Sequence, residues 1–156
     1  MKRVIKVLFL TTMVLTILTG SAPGEVKLVK GQIVYVPCYT SFISGVFYPV
    51  KATIFIHNTD PNNGIKIVRI DFYNTSGKLV EKYLPQPLNL GPVAATRISV
   101  KEPLNGEDGA GAHFLIQWQA EQKVVEPLIE AWFLFAEGTK GYSFTSPTRI
   151  IQEDVN

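Results

Sequence analysis

The stretch that decides the fold is Ala112–Phe135, AHFLIQWQAEQKVVEPLIEAWFLF, the most apolar part of the chain outside its N-terminus. In its first half Phe114, Ile116, Trp118 and Ala120 fall on one face and His113, Leu115, Gln117 and Gln119 on the other. That period of two is the mark of a half-buried strand. The second half, Leu128–Phe135, sets Ile129, Ala131, Phe133 and Phe135 against Leu128, Glu130, Trp132 and Leu134. It is apolar on nearly both sides, which places it in the middle of a sheet. The two strands, joined by Glu121–Pro127, predict a hairpin at the centre of the core.

The same alternation recurs on either side. Gln32–Tyr39 predicts a first strand whose Pro37, lacking an N–H, implies an edge or a bulge. Ala52–His57 and Ile65–Asn74 flank a dense turn signal, Asp60-Pro61-Asn62-Asn63-Gly64, and predict a second hairpin with Val68, Ile70 and Phe72 on one face. Leu79–Tyr83 is a short strand stopped by Pro85 and Pro87. Leu88–Pro92 is a crossing loop, Ala95–Val100 another strand, and Lys101–Gly111 a glycine-rich loop. Tyr142–Ile151 closes the series, with a bulge expected at Ser146-Pro147. No stretch carries a helical period. About eight strands at even spacing predict an all-β fold, a single antiparallel β-sandwich of immunoglobulin or fibronectin type, with a small β-barrel as the alternative.

Composition sets the compartment and removes some partners. A basic tip (Lys2, Arg3, Lys6), an apolar run from Val7 to Leu18, and the small residues Thr19–Gly24 form a secretory signal peptide, residues 1–24, with cleavage after Ser21 or Gly24. The run is shorter than the roughly 20 residues of a membrane span. The alternative is an uncleaved tether to the inner membrane, the only membrane contact expected. Ser21 stands where a lipoprotein box would carry its cysteine, so no lipid is expected. Three of the 15 basic residues and none of the 13 acids lie in the leader, leaving 12 bases against 13 acids. A folded part of that balance has no electrostatic footprint for nucleic acid. Residues 25–156 make one domain, periplasmic or extracellular. Cys38, the single cysteine, rules out an internal disulfide, and its place after Val34 and Val36 puts it on the buried face.

Candidate chemistry is sparse. His57 and His113 both fall on outward faces without metal-pair spacing. A site drawing them together with Asp71 or Glu130, or one centred on Cys38, would be needed for an enzyme, and no G-x-S-x-G elbow is present; a non-enzymatic protein without a cofactor is expected. Asn105, Glu107 and Asp108 are candidate metal ligands, though their order does not match an EF-hand loop and the loop lacks the lysine of a phosphate cradle. Asn74-Thr75-Ser76 matches a glycosylation sequon. The loop aromatics Phe42, Phe47 and Tyr48 are candidate ligand contacts, against a role in capping the core. Glu130, set among Leu128, Trp132 and Leu134, needs a partner: Arg69 or Arg97 would make a structural pair, or it is a polar contact in a shallow ligand groove.

Several segments together resemble an uncharacterised family of exported bacterial proteins, domain of unknown function 3124. They are Val34-Tyr35-Val36-Pro37, Asn58-Thr59-Asp60-Pro61, Ser76-Gly77-Lys78-Leu79-Val80, Leu90-Gly91-Pro92, Glu126-Pro127-Leu128 and Ser143-Phe144-Thr145-Ser146, with Trp118 and Ala120-Glu121-Gln122 between them. The resemblance covers roughly Gly31 to Ile150. It implies an exported single domain and supplies no functional residues. The first functional expectation is a binding or assembly module of the cell envelope, with the edge strand Leu79–Tyr83 able to accept another chain. The alternatives are a binder of a small molecule, glycan or metal ion, and an enzyme with a Cys/His-centred site.

Overall fold

A computed structural model describes residues 26–43, 47–101, 104, 106–137 and 139–154, without the side chains of 42, 43, 47–49, 106, 107 and 137. Twelve strands and one short helix appear among them: β1 (Leu28–Pro37), β2 (Ser41–Ile43), β3 (Phe47–Pro49), β4 (Lys51–His57), β5 (Ile65–Tyr73), β6 (Leu79–Lys82), β7 (Leu88–Leu90), β8 (Ala95–Ser99), α1 (Gly106–Ala110), β9 (His113–Val125), β10 (Leu128–Glu137), β11 (Lys140–Ser146) and β12 (Arg149–Glu153). All eight expected strands are present, one of them split in two. The remaining three, β2, β3 and β7, have three residues each, too few to show an alternation.

The strands form a two-layer antiparallel sandwich. One sheet runs β12-β1-β9-β5-β6, with β7 taking the other half of the β5 edge; the second runs β11-β10-β4-β8; β2 and β3 pair as a separate ribbon. Neither sheet closes on itself, so the barrel alternative falls. Between the layers lie Phe72, Phe114, Ile116 and Trp118 from the first sheet and Ile54, Ile56, Ala131 and Phe133 from the second, all buried.

Both expected hairpins prove to be crossings between layers. β9 is central in the first sheet and β10 in the second, joined by only Glu126 and Pro127, because β9 continues to Val125 along the start of β1. Likewise β4 belongs to the second sheet and β5 to the first. Alternation fixes which side of a strand is buried and leaves open which layer buries it. The last strand also divides. At Pro147 and Thr148 the chain leaves β10 and crosses to β1, a change of sheet where a bulge was expected. Two smaller corrections have local causes. A bulge between Ile67 and Arg69 turns Val68 out of register, so Ile67, Ile70 and Phe72 take the core positions. Pro37 is the last residue of a strand flanked on both sides, beyond the reach of β12, so its missing N–H leaves no gap in a ladder. The Lys101–Gly111 loop contains α1, where a loop alone was expected.

Each end of the sandwich is bound by side chains. At one end the buried Asn58 donates from Nδ2 to the carbonyls of Asn63 (2.8 Å) and Gly91 (2.7 Å), and its Oδ1 accepts the Asp60 N–H at 3.1 Å. Asp60 in turn accepts the N–H groups of Asn62, Asn63 and Val125, and Thr59 Oγ1 donates to the Glu126 carbonyl at 2.7 Å. The Asn58–Asp60 segment thus ties the β4–β5, β7–β8 and β9–β10 connections together. Beside it the turn Gly91–Ala94 holds Val93 at φ 50°, a left-handed backbone that a β-branched residue tolerates poorly. Val93 is 73 % exposed, so packing does not compensate. We expect Val93→Gly to raise the unfolding free energy by about 1 kcal/mol, measured in urea.

At the other end α1 packs on the start of β2. Thr40 N–H donates to the Gly109 carbonyl (3.0 Å) and Thr40 Oγ1 to the Leu104 carbonyl (2.8 Å). A side chain at Gly109 would meet both Thr40 and Leu104, and glycine alone allows this approach.

Candidate functional site

The outer face of the four-stranded sheet carries the most unusual surface among the described residues. Along β10, inward Ile129, Ala131 and Phe133 alternate with outward Leu128, Glu130, Trp132 and Leu134. Among the described residues no layer covers this second side. Leu128, Trp132 and Leu134 are 48 %, 50 % and 47 % exposed. The expectation of a strand central in its sheet holds, with β4 on one side and β11 on the other; of its two apolar faces only the inward one is buried.

Register sets the neighbours in rows across the sheet. Glu130 lies beside Phe55 of β4, and Phe55 beside Arg97 of β8. The next rows are Leu128–His57–Ala95 and Trp132–Thr53–Ser99. Phe55 and Trp132 meet edge to face at 6.0 Å, Phe55 and His57 stack at 6.2 Å, and Trp132 Nε1 donates to Glu130 Oε2 at 3.3 Å. The result is an apolar platform holding one carboxylate and one guanidinium, with the Lys51 ammonium at its rim beside Leu134 and the aromatic rings packed on one another.

The structural pair expected for Glu130 is not formed. Arg69 lies in the first sheet and faces Asp71 of its own strand (Nε–Oδ2 3.6 Å), while Arg97 stands on the far side of Phe55 from Glu130. Among the described residues neither Glu130 nor Arg97 has a counter-ion within 4.0 Å. Of the residues expected from sequence to bind a ligand, Glu130 alone sits in this surface. Phe55 carries no sign of this role in the sequence, and Arg97 enters the sequence reading only as a structural partner for Glu130. A charge inside an apolar face was the available sign that the face meets solvent.

The other candidates are elsewhere. Backbone pairing of β2 with β3 puts Phe42, Phe47 and Tyr48 at the α1 end, and their side chains lie outside the description. Asn105 and the Glu107 side chain lie outside it as well. Asp108 braces its own loop: Oδ1 accepts Asn74 Nδ2 at 2.9 Å, and its carbonyl accepts the Thr75 N–H at 3.0 Å. That bond also occupies the amide of the sequon. Among the described residues no three His, Cys, Asp or Glu side chains gather to hold a metal ion. His113 is stacked between Tyr35 (4.7 Å) and Tyr73 (5.4 Å) on the outer face of the six-stranded sheet, and His57 is on the outer face of the other, so one site cannot use both. Cys38 is buried, and desolvation pushes its thiol up to about 12. An alkylating reagent at mildly alkaline pH should leave Cys38 unmodified in the folded protein and label it on unfolding, followed by mass spectrometry.

One open groove of about 610 Å³ lies on the first sheet beside the Asn58 end. Its walls include the side-chain amides Asn63, Asn89, Gln119 and Gln122, with Lys66 and Glu121. Among the described residues no helix is long and apolar enough to cross a membrane. Residues 31–151 match a family described as "protein of unknown function" (DUF3124). Comparison with curated proteins and with solved structures finds no match.

Proposed function

The chain belongs to that DUF3124 family of unknown function, and from the surface it displays we propose an exported, non-enzymatic binding module of the cell envelope that docks a protein on the outer face of its four-stranded sheet. One observation carries this reading: three large apolar side chains alternate along a central strand and each stands about half exposed. A contiguous apolar patch with a polar rim is the usual form of a protein contact, and Trp and Arg are its most frequent anchors. The leader sequence supports export. Burial of Cys38 and separation of the two histidines support a role other than catalysis. The open edges β6, β8 and β11 could extend the contact by strand pairing.

The amide-lined groove favours a second reading, a polar small ligand such as a sugar. Thermal unfolding against a panel of glycans and metabolites tests it, since a ligand at 100 times its Kd adds about 2.7 kcal/mol. For the first reading, a photo-cross-linking amino acid is placed at Leu134 or, on the opposite face, at Gln117, in cells producing the full chain. A protein adduct from position 134 that disappears with Trp132→Glu is expected. No adduct, or the same adduct from position 117, would remove this reading.

A further inference from the structure

Resting on that reading, we infer that the protein docked on this face is a second copy of the same chain, packed face to face about a two-fold axis parallel to β4. The inference comes from the row Glu130–Phe55–Arg97, in which one strand carries the acid, the next the aromatic and the third the base. Strands stand about 4.8 Å apart, so the two charges are roughly 10 Å apart with Phe55 midway. A two-fold axis over Phe55 and along β4 exchanges the two sides of the row. Each copy's Glu130 then lies over its partner's Arg97, twice, and Phe55 lies over Phe55.

The same operation matches large side chains with small ones. In the neighbouring rows Trp132 is brought over Ser99, and Leu128 over Ala95. The tall ridge of β10 fills the low ground of β8 in both directions, within the twist of roughly 30° with which aligned sheets pack. An axis running across the strands would instead place Glu130 on Glu130 and Arg97 on Arg97, which like charge opposes. Of like charges, the axis along β4 brings only Lys51, at the exposed rim beside Leu134, over its own copy, where solvent screens the charge. A closed two-fold contact of this type uses one self-complementary patch and stops at a dimer. The platform is roughly 15 Å by 20 Å, about 300 Å² on each copy and below the standard size of specific interfaces, so the dimer is a weak one that forms only at micromolar concentrations or above.

Sedimentation velocity on protein purified from cells expressing the full chain tests this across the micromolar range. Wild type should pass from monomer to dimer. Arg97→Glu leaves two acids in the row and Glu130→Arg two bases, and each alone should weaken the dimer about tenfold or more. Mixed together, the two variants should recover a dimer, since every acid then faces a base. That recovery also shows both variants to be folded. A wild type that stays monomeric, single variants that dimerise like wild type, or a mixture that does not recover would overturn the inference. If the cross-link at position 134 then captures a different protein, the docking function stands and the second copy is excluded; if it captures nothing, both fall.

Discussion

Trp118→Ala should cost about 4 kcal/mol of unfolding free energy, the largest loss expected from any single truncation in the chain. Trp118 is fully buried at the centre of β9. Its indole Nε1 donates to Oε1 of the buried Gln32 at 3.3 Å, and Gln32 Nε2 donates to Glu126 Oε2 at 3.0 Å, with Lys27 facing that carboxylate at 3.7 Å. Truncation opens a cavity between the sheets and also strands the Gln32 oxygen. In a domain of marginal stability such a loss moves the midpoint of thermal unfolding on the order of 10 °C. Trp118→Phe should lose less, because the cavity is partly filled. Trp132→Ala, on the open face, should change stability by less than about 1 kcal/mol. The contrast between the two tryptophans separates the residue that folds the protein from the one available to a partner.

Asn58→Ala is the second large loss, about 3 kcal/mol by urea unfolding. One buried amide ends three bonds, to Asn63, Gly91 and Asp60, and alanine leaves their backbone groups without it. The same corner gives a pH dependence. The N–H of Val125, followed by those of Asn62 and Asn63, holds the Asp60 carboxyl below its ordinary value of 3.8. A carboxyl depressed on folding contributes stability that is complete above the unfolded value and is lost as pH falls through the folded one. Wild type should therefore lose stability more steeply below about pH 4 than Asp60→Asn does.

Much of the core was legible because alternation reports burial directly. Phe114, Ile116 and Trp118 point inward as their spacing predicts, as do Ile54, Ile56 and Phe133. Layer assignment was not legible. Asn58–Gly64 carries the turn residues of a hairpin, yet Asn58 and Asp60 use their side chains to fix a crossing, and no local signal distinguishes the two. Pro147 marked an irregularity without telling that the chain changes sheets there. The open face was not legible for a related reason: Leu128, Trp132 and Leu134 fit burial as well as they fit a contact surface. Glu130 reads from sequence as a carboxylate in need of a partner. Among the described residues no counter-ion stands within 4.0 Å of it, and its hydrogen bond comes from Trp132 Nε1 of its own strand.

Fluorescence quenching of Trp132 tests the docking face most directly. The chain has two tryptophans, and Trp118 is inaccessible to acrylamide while Trp132 is half exposed. A face covered by a second copy predicts that the quenchable share of the emission falls as protein concentration rises through the micromolar range, and that Arg97→Glu abolishes the fall. Quenching that is the same at every concentration would show that Trp132 is never covered by another copy, and would contradict the account.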